Sequence, residues 1–561
     1  MKRIDWARCG AHMLALVITL GGCQATAQGP KAVWAGKVGL ELDGNGDGSR
    51  SKPFVDLAKT HRRWTLPNFG PKAKLDANGW PTCDAETVLF DIRPFGAWAP
   101  PIDDPDGFMP DWSGVYSVSF KGQAQVSVRG GALSPSIRQA SYNPATNTTT
   151  CKLVVPKGEG LVVLTLTNTK RTASSPVGSG ITSLKVIRPG YDPNTKQLFT
   201  KEFLEMLRPF KVLRYMNWLD TNHNPGYYGD TGHHALEWKD RRTPDYATQS
   251  ATDDKYGVAW EYIVQLANLT NTDAWINIPV AATDGYVREL AKFLKVNLEN
   301  TCTIYIEHSN EVWNFGFPQY IYNKLAAIDE VKSGKSVLNN DGVKDEERYA
   351  HRRHAKRLHD IAMIFADVFG KDQLNKRIRP VYASWVIMPD SHYKDVLAWC
   401  EKTYGPVKNY FYSIAVASYY NDQKASKTST PDEVLDAMFK SSDEAQQFLM
   451  PLRDLAKSKG LKFMQYEIGP DNGGGDPTNV ANRIRANRLP RMKELIMHDA
   501  KRWFAIGGDL YMYFAGPGAY SRHGCWGLSE DVADLNTPKW QAIYELTGFK
   551  RQPKSSAVWA K

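Results

Sequence analysis

The pattern of hydrophobic and polar residues divides the chain into two regions of different character. From about residue 33 to residue 172, short runs alternate apolar and polar positions, and Gly, Pro, Asn and Asp separate the runs, as at 115–120, 124–128 and 161–166. A period of two with this punctuation is typical of antiparallel strands. The pattern predicts an all-β sandwich over 33–175, with a Ser-, Pro- and Gly-rich linker at 174–180.

Beyond residue 181 the pattern changes to short, continuously apolar segments separated by longer helical segments. Strands buried on both faces have this character, and helices between them imply a parallel sheet covered by helices. Eight such units predict a (β/α)8 barrel over 181–549, followed by a tail at 550–561. The predicted strands are 183–188, 211–217, 274–280, 303–309, 378–385, 410–419, 462–468 and 510–514, and the predicted helices include 201–210, 257–269, 285–297, 346–369, 443–459 and 538–547.

A doubly wound open sheet is the alternative architecture for this second region. Such a sheet usually has a glycine-rich phosphate-binding turn after its first strand. Here the first predicted strand is followed by Pro189-Gly190-Tyr191. The pattern therefore favours the barrel.

The ends of the predicted barrel strands carry two glutamates of interest, because active sites of such barrels lie at the C-terminal ends of the strands. The fourth predicted strand is followed by Asn310-Glu311, and the seventh contains Glu467 near its end. An Asn-Glu pair after strand four and a Glu on strand seven resemble glycoside hydrolase clan A, the retaining glycosidases built on (β/α)8 barrels. Glu307, four residues before Glu311, and Arg214 on the second predicted strand also match cellulase-like members of that clan.

The resemblance implies a role for each of these residues. Glu311 would be the acid/base and Glu467 the nucleophile of a double displacement, with their carboxyl groups roughly 5 to 5.5 Å apart. Glu311 must be protonated at working pH, so we expect its pKa to be raised by burial and by its neighbour's charge. Asn310 would bind the sugar 2-hydroxyl, Arg214 would keep Glu467 ionised, and Tyr419 would donate a hydrogen bond to Glu467. Glu307 is expected to face the barrel interior as a structural partner of Arg214.

Aromatic residues near the strand ends are candidates for stacking against sugar rings, although most of the 17 Trp residues must simply pack in the core. Trp526 and Trp218 are the preferred candidates among Trp218, Trp313, Trp385 and Trp526. The sequence also departs from the cellulase-like pattern, because strands three and six lack the His that many members carry and strand eight lacks their terminal Trp. The long polar loop at 218–256 is expected to shape the cleft.

Composition and charge exclude several other classes of protein. The formal charge is +10, but the basic residues are scattered among acids, so no nucleic-acid groove is predicted. Motifs for serine hydrolases, zinc proteases and nucleotide-binding loops are absent from the sequence, and no cofactor is expected. The run from Asp43 to Gly48 matches half of a calcium loop, but its twelfth position is Phe54, which favours a simple Gly/Asp turn. Cys83 and Cys151 are the one disulfide pairing considered.

The first residues have the character of an export signal over 1–27. Lys2, Arg3 and Arg8 precede a short apolar stretch at 13–20. The run Leu20-Gly21-Gly22-Cys23 resembles a bacterial lipobox, with Cys23 as the lipidated residue, and cleavage after Ala27 is the alternative. A periplasmic or cell-surface lipoprotein is therefore expected, and otherwise a secreted protein.

Together these features predict an exported retaining glycosidase that acts on a β-linked poly- or oligosaccharide. Two alternatives stay open. One is a non-catalytic carbohydrate-binding surface protein on a degenerate barrel, and the other is an inverting or transferring enzyme on the same fold.

Overall fold

A parallel barrel and an inserted antiparallel domain make up the protein. The structure is a computed structural model that describes residues 34–96, 100–223, 235–250 and 257–551. Eight strands form one sheet in which neighbouring strands are parallel. Their order is β15 (Lys462–Glu467), β13 (Ser413–Ala417), β12 (Ile378–Ala383), β11 (Ile304–His308), β10 (Asp273–Ile278), β9 (Val212–Arg214), β1 (Val38–Glu41) and β17 (Tyr511–Tyr513). The backbone N–H of Gln465 donates to the carbonyl of Leu510 at 3.0 Å, which joins the two ends of the sheet. The predicted (β/α)8 barrel with an additional all-β domain is confirmed.

The first barrel strand is β1, Val38–Glu41, and it pairs with both the second strand and the last. This corrects the prediction that 183–188 is the first barrel strand, since that segment pairs with an antiparallel strand instead. The all-β domain is consequently an insertion between the first barrel strand and the first barrel helix, and the boundary predicted near residue 181 is wrong. The segment 174–180 is a loop between two strands of the inserted domain rather than a linker.

The inserted domain consists of a three-stranded sheet, β2-β7-β4, and a four-stranded sheet, β5-β6-β3-β8. Apolar side chains from both sheets, such as Leu89, Val162, Val118 and Leu153, form one shared core between them. Cys83 and Cys151 are both free thiols, so the disulfide considered from the sequence does not form. The strands are β2 (Ala85–Asp91), β3 (Gly114–Lys121), β4 (Gln123–Arg129), β5 (Ser136–Asn143), β6 (Thr148–Val155), β7 (Leu161–Lys170) and β8 (Thr182–Ile187).

The remaining strands follow the insertion and alternate with helices, as predicted. They are β9 (Val212–Arg214), β10 (Asp273–Ile278), β11 (Ile304–His308), β12 (Ile378–Ala383), β13 (Ser413–Ala417), β14 (Tyr420–Asn421), β15 (Lys462–Glu467), β16 (Pro470–Asp471) and β17 (Tyr511–Tyr513). The short pair β14 and β16 lies beyond the ends of the sixth and seventh barrel strands. Inside the barrel, side chains such as Val212, Trp275, Tyr305, Met464 and Met512 fill the interior.

Helices surround the barrel, and their starts follow ordinary capping chemistry. Thr537 accepts a hydrogen bond from the backbone of Trp540, with Pro538 at the first helical position, and Thr430 forms a capping box with Glu433. No helix in the described residues has the length and apolar character needed to cross a membrane. The helices are α1 (Lys201–Leu207), α2 (Trp260–Thr270), α3 (Asp284–Asn297), α4 (Pro318–Lys332), α5 (Glu346–Phe369), α6 (Asp395–Tyr404), α7 (Pro431–Ser458), α8 (Val480–Arg488), α9 (Arg491–Ala505) and α10 (Pro538–Thr547).

Candidate active site

Arg214, at the end of β9, is the centre of a buried network of carboxylates. Its Nη1 donates to Glu467 Oε1 at 2.6 Å and to Glu41 Oε2 at 3.0 Å, while Nη2 lies 2.9 Å from Glu307 Oε2. Nη2 also donates to Asn310 Oδ1 at 2.8 Å. Strand register explains part of this arrangement, because Glu41 and Arg214 are directly paired on neighbouring strands. The predicted pairing of Glu307 with Arg214 is confirmed.

Glu467, the last residue of β15, is held by a charged donor and a phenol. Besides the bond from Arg214, its Oε2 accepts a hydrogen bond from the Tyr419 hydroxyl at 2.7 Å. Donors on both oxygens, one of them cationic, stabilise the ionised form of a carboxyl group. Glu467 thus has a cationic donor on one oxygen and a phenol donor on the other, and the expected Tyr419–Glu467 hydrogen bond is present.

Glu311 lies on the loop after β11 and has only neutral hydrogen-bond partners. Tyr466 donates to its Oε1 at 3.0 Å and Asn314 Nδ2 donates to its Oε2 at 2.9 Å. The residue as a whole is partly accessible to solvent. Burial, and then the charge of Glu467, raise the pKa of Glu311 to about 7. This is the behaviour expected of a general acid near neutral pH.

The backbone around Glu311 adopts a conformation that few residues other than glycine favour. The φ angles are 60° at Ser309 and 41° at Glu311. Left-handed conformations at non-glycine residues cost energy and are concentrated at functional sites. Here the turn lifts Glu311 off the strand end, while Asn310 stays buried underneath.

Glu41 adds a fourth carboxyl group that sequence reasoning missed. It is fully buried, and burial raises its pKa to about 8 even though Arg214 acts in the opposite direction. Its Oε1 accepts a hydrogen bond from the backbone N–H of Asn217 at 3.1 Å. One guanidinium thus serves several carboxyl groups, and the raised pKa values of Glu41 and Glu311 keep these two largely protonated at slightly acid pH.

Asn310, which the resemblance predicts to bind the sugar 2-hydroxyl, is buried beneath the site, as is Arg214. Arg214 is 0% exposed and Asn310 is 2% exposed. Asn310 Oδ1 accepts from Arg214, and its Nδ2 donates to Asn222 Oδ1 at 3.0 Å. In this arrangement Arg214 is a positioning residue for Glu467, and Asn310 supports Arg214 and the loop that carries Asn222.

Trp218 is not a stacking platform, which corrects that prediction. Its side chain is only 2% exposed and packs in the core beneath the barrel mouth, with its ring parallel to Phe203 at 5.8 Å. Phe54 and Phe199 contact its other edges. The rest of the loop at 218–256 lies partly outside the described residues, because positions 224–234 and 251–256 are not described.

Trp526 is a better placed aromatic residue and is partly accessible. Its ring contacts Phe514 edge to face at 5.8 Å, and Phe514 contacts Tyr419 in the same way at 5.9 Å. Two side chains, Phe514 and Tyr419, therefore lie between Trp526 and Glu467. The other candidates, Trp313 and Trp385, stack on each other at 5.2 Å beside the Glu311 loop.

A cavity of about 290 Å³ adjoins the site on the side of the loops after β12 and β13. Tyr419 forms part of its wall, together with apolar side chains such as Ile387 and Phe448 and polar ones such as Asn421. The Tyr419 hydroxyl, which donates to Glu467, links this cavity to the site. The cavity offers room for a substrate group beyond the two carboxylates.

The glycine-rich loop after β1 has no metal-binding geometry. The Asp43 carboxylate accepts hydrogen bonds from the Ser49 and Ser51 hydroxyls, and Asp47 is paired with Arg62 at 2.6 Å. Across the residues that the structure describes, no group of three or more His, Cys, Asp or Glu side chains is placed to hold a metal ion. The acidic side chains of this loop are thus engaged in hydrogen bonds and an ion pair.

Comparison with known proteins gives likeness of fold at low identity. No protein-family model and no curated protein matches the chain. Among solved structures, a 4-O-α-L-rhamnosyl-β-D-glucuronidase from Fusarium oxysporum is 13% identical over 60% of this chain and 61% of its own, with a TM-score of 0.33. The arabinofuranosidase of glycoside hydrolase family 51 from Xanthomonas axonopodis is 11% identical over 63% of this chain and 67% of its own, with a TM-score of 0.36. A mutant of xylanase 10C from Cellvibrio japonicus, solved with xylopentaose, is 11% identical over 89% of this chain and 99% of its own, with a TM-score of 0.33. The chain spans about three fifths of the length of the glucuronidase.

Proposed function

We propose that this protein is a retaining glycoside hydrolase that cleaves a β-linked poly- or oligosaccharide. One observation carries the proposal: two interacting carboxyl groups at the barrel mouth have opposite surroundings. Glu467 is bound by Arg214 and Tyr419, while Glu311 has neutral partners and a pKa raised to about 7. A glycosidic bond is cleaved with retention by such a pair, one carboxyl group as an acid and one as a nucleophile.

The proposed first step uses both groups together. Glu467 attacks the anomeric carbon as Glu311 protonates the glycosidic oxygen, so the sugar becomes an ester of Glu467 and the leaving group departs with the proton. The leaving group must lie beside Glu311, while the cavity at Tyr419 offers room for another part of the substrate next to Glu467. Binding of the sugar 2-hydroxyl by Asn310, as the clan resemblance implies, would require the buried Asn310 to share its existing hydrogen bonds.

The second step follows from the electrostatic coupling between the two groups. The charge of Glu467 helps to raise the pKa of Glu311, and this charge disappears when Glu467 becomes an ester. The pKa of Glu311 then falls, so the carboxylate can remove a proton from the water that hydrolyses the ester. A single residue thereby serves as acid and then as base.

The alternative of a non-catalytic carbohydrate-binding protein predicts a misplaced carboxylate or a cleft filled by side chains. Glu311 and Glu467 instead interact electrostatically, and Tyr419, the hydrogen-bond partner of Glu467, lines a cavity. These observations favour catalysis over a purely binding role.

The experiment is a screen of the purified protein on a panel of polysaccharides and oligosaccharides. We expect hydrolysis of a β-linked member, with a rate lower by on the order of 10⁴ or more in Glu467→Gln. Glu289→Gln is the matched control, because Glu289 is an exposed residue on α3. Proton NMR of the first product should show retained configuration; inversion would contradict the double displacement, and full activity of Glu467→Gln would remove its assignment as nucleophile.

Export as a lipoprotein is proposed from the sequence of residues 1–27 alone, which lie outside the described residues. The wild-type protein should fractionate with membranes and carry acyl chains on Cys23. Cys23→Ser should abolish the acylation. A mature protein that begins after Ala27 and remains soluble would contradict the lipoprotein proposal while leaving export intact.

A further inference from the structure

A loop of the inserted domain contacts the hairpin that follows β17, here called the Trp526 hairpin and spanning residues 520–527. Asp103, in that loop, is 1% exposed and accepts hydrogen bonds from both the backbone N–H of Arg522 at 2.7 Å and its Nε at 2.8 Å. Arg522 Nη2 also donates to the carbonyl of Pro101 at 2.6 Å. A buried carboxylate that binds both the backbone and the side chain of one residue fixes that residue's position closely.

The barrel holds the other arm of the same hairpin. Lys539, from α10, is fully buried and donates to the carbonyls of Cys525 and Gly527, the two residues that flank Trp526. The Tyr520 hydroxyl donates to the Gly527 carbonyl as well, at 2.8 Å. The hairpin is therefore attached to the barrel at one arm and to the inserted domain at the other.

This hairpin presents Trp526 towards the candidate active site. Trp526 Nε1 donates to Asp471 Oδ1 at 3.3 Å, and the ring contacts Phe514, which contacts Tyr419, the partner of Glu467. Gly524 shows how closely the ring is packed, since a Cβ there would lie 2.5 Å from the Trp526 ring. A change in the hairpin would thus displace the Trp526 ring.

We propose that Asp103 is a positioning residue through which the inserted domain sets the place of Trp526 in the substrate cleft. The inference deepens the proposed function, on which its kinetic part rests. It assigns the inserted domain a role in substrate binding by the barrel. The domain's other contacts with the barrel need not share this role: Asp106 pairs with Arg485 of α8, where both side chains are more than two fifths exposed.

A double-mutant cycle between Asp103 and Trp526 tests the proposal on an oligosaccharide hydrolysed by the wild-type enzyme. We expect Asp103→Ala to raise KM roughly tenfold and to leave kcat within about twofold. The reason is that a displaced Trp526 would weaken binding of the substrate and of the transition state equally. Trp526→Ala should have a similar effect, and the double variant should be no worse than Trp526→Ala, because the two residues act through one contact. Asp106→Ala is the matched control and should leave KM unchanged. Additive effects of the two substitutions, or an equal effect of Asp106→Ala, would overturn the proposal.

Hydrogen exchange of the segment 520–527 tests the same inference without any activity. Exchange should be faster in Asp103→Ala than in the wild type and unchanged in Asp106→Ala, while segments of the barrel strands keep their protection. Asp103→Asn, which retains one oxygen for the Arg522 N–H, should lie between the two and serves if the alanine variant does not fold. Unchanged exchange at 520–527 would overturn the positioning role. If the protein hydrolyses no glycan but the exchange result holds, the proposed function fails and the positioning role stands.

Discussion

Glu467 and Glu311 are the same kind of side chain in different surroundings. Glu467 ends a strand, and its oxygens receive hydrogen bonds from a buried guanidinium and a phenol. Glu311 lies on a loop with left-handed backbone, and its oxygens receive hydrogen bonds from an amide and a phenol only. Arg214 binds Glu467, whereas burial and then the charge of Glu467 raise the pKa of Glu311 to about 7. Chemical role in this site is therefore set by the neighbours of each glutamate rather than by residue type.

Among variants that keep Glu467, the largest effect should come from replacing Glu311, the proposed acid. Glu311→Ala is expected to lower kcat/KM by about 10² to 10⁴ for a substrate whose leaving group is a sugar, because that oxygen must be protonated. For an aryl glycoside with an acidic phenol as leaving group, the first step should be nearly unaffected. Steady-state and burst kinetics on both substrates measure the difference. Equal losses on the two substrates would mean that Glu311 is not the acid.

A smaller effect on activity is expected from Tyr419→Phe, which concerns Glu467, the proposed nucleophile. The substitution removes one hydrogen bond to the Glu467 carboxylate and should lower kcat by about 10- to 100-fold, as hydrogen bonds to charged groups are worth about 1.5–3 kcal/mol. Tyr420→Phe is the control, since Tyr420 is adjacent and fully buried, and the hydroxyl that bonds Glu467 belongs to Tyr419. A comparable loss in the Tyr420 variant would show that packing, not the hydrogen bond, matters.

The smallest effect concerns the pH dependence of activity that Glu311, the proposed acid, produces. Activity requires protonated Glu311, so kcat/KM should fall as pH rises through about 7, the pKa of that group. Asn314 lowers this pKa by donating to the carboxylate. Asn314→Ala should therefore move the alkaline limb to higher pH by less than about one unit. Tyr466→Phe should shift it in the same direction, and a shift to lower pH in either variant would contradict the assignment.

The barrel and the two strand ends that carry Glu311 and Glu467 could be predicted from the sequence because each barrel strand after residue 210 is a local apolar run followed by a helix. The first barrel strand could not, since Val38–Glu41 is only four residues long and its barrel partners follow after the whole inserted domain. The segment 183–188 precedes helix α1 and so resembles a barrel unit, but its partner is β3, an antiparallel strand. Strand pairing over such distances leaves no local trace in the sequence.

The candidate site shows the same limit. Glu311, Glu467 and Tyr419 were identifiable from their positions at predicted strand ends. Glu41 could not be identified because its short strand resembles the strands of the all-β region. Tyr466 lies on a buried strand, so nothing in the sequence distinguishes it from an aromatic residue of the core. Trp218 follows the strand end as a platform would, yet the aromatic cluster beneath it buries the ring.

The most direct test of the roles proposed for Glu467 and Glu311 is to trap the covalent intermediate. The protein would be treated with a 2-deoxy-2-fluoro glycoside of its substrate sugar bearing a dinitrophenolate leaving group, digested, and analysed by mass spectrometry. The account predicts one sugar per chain, attached to Glu467, and none in Glu467→Gln. A sugar attached to Glu311, or turnover without any covalent adduct and with inverted product, would contradict it.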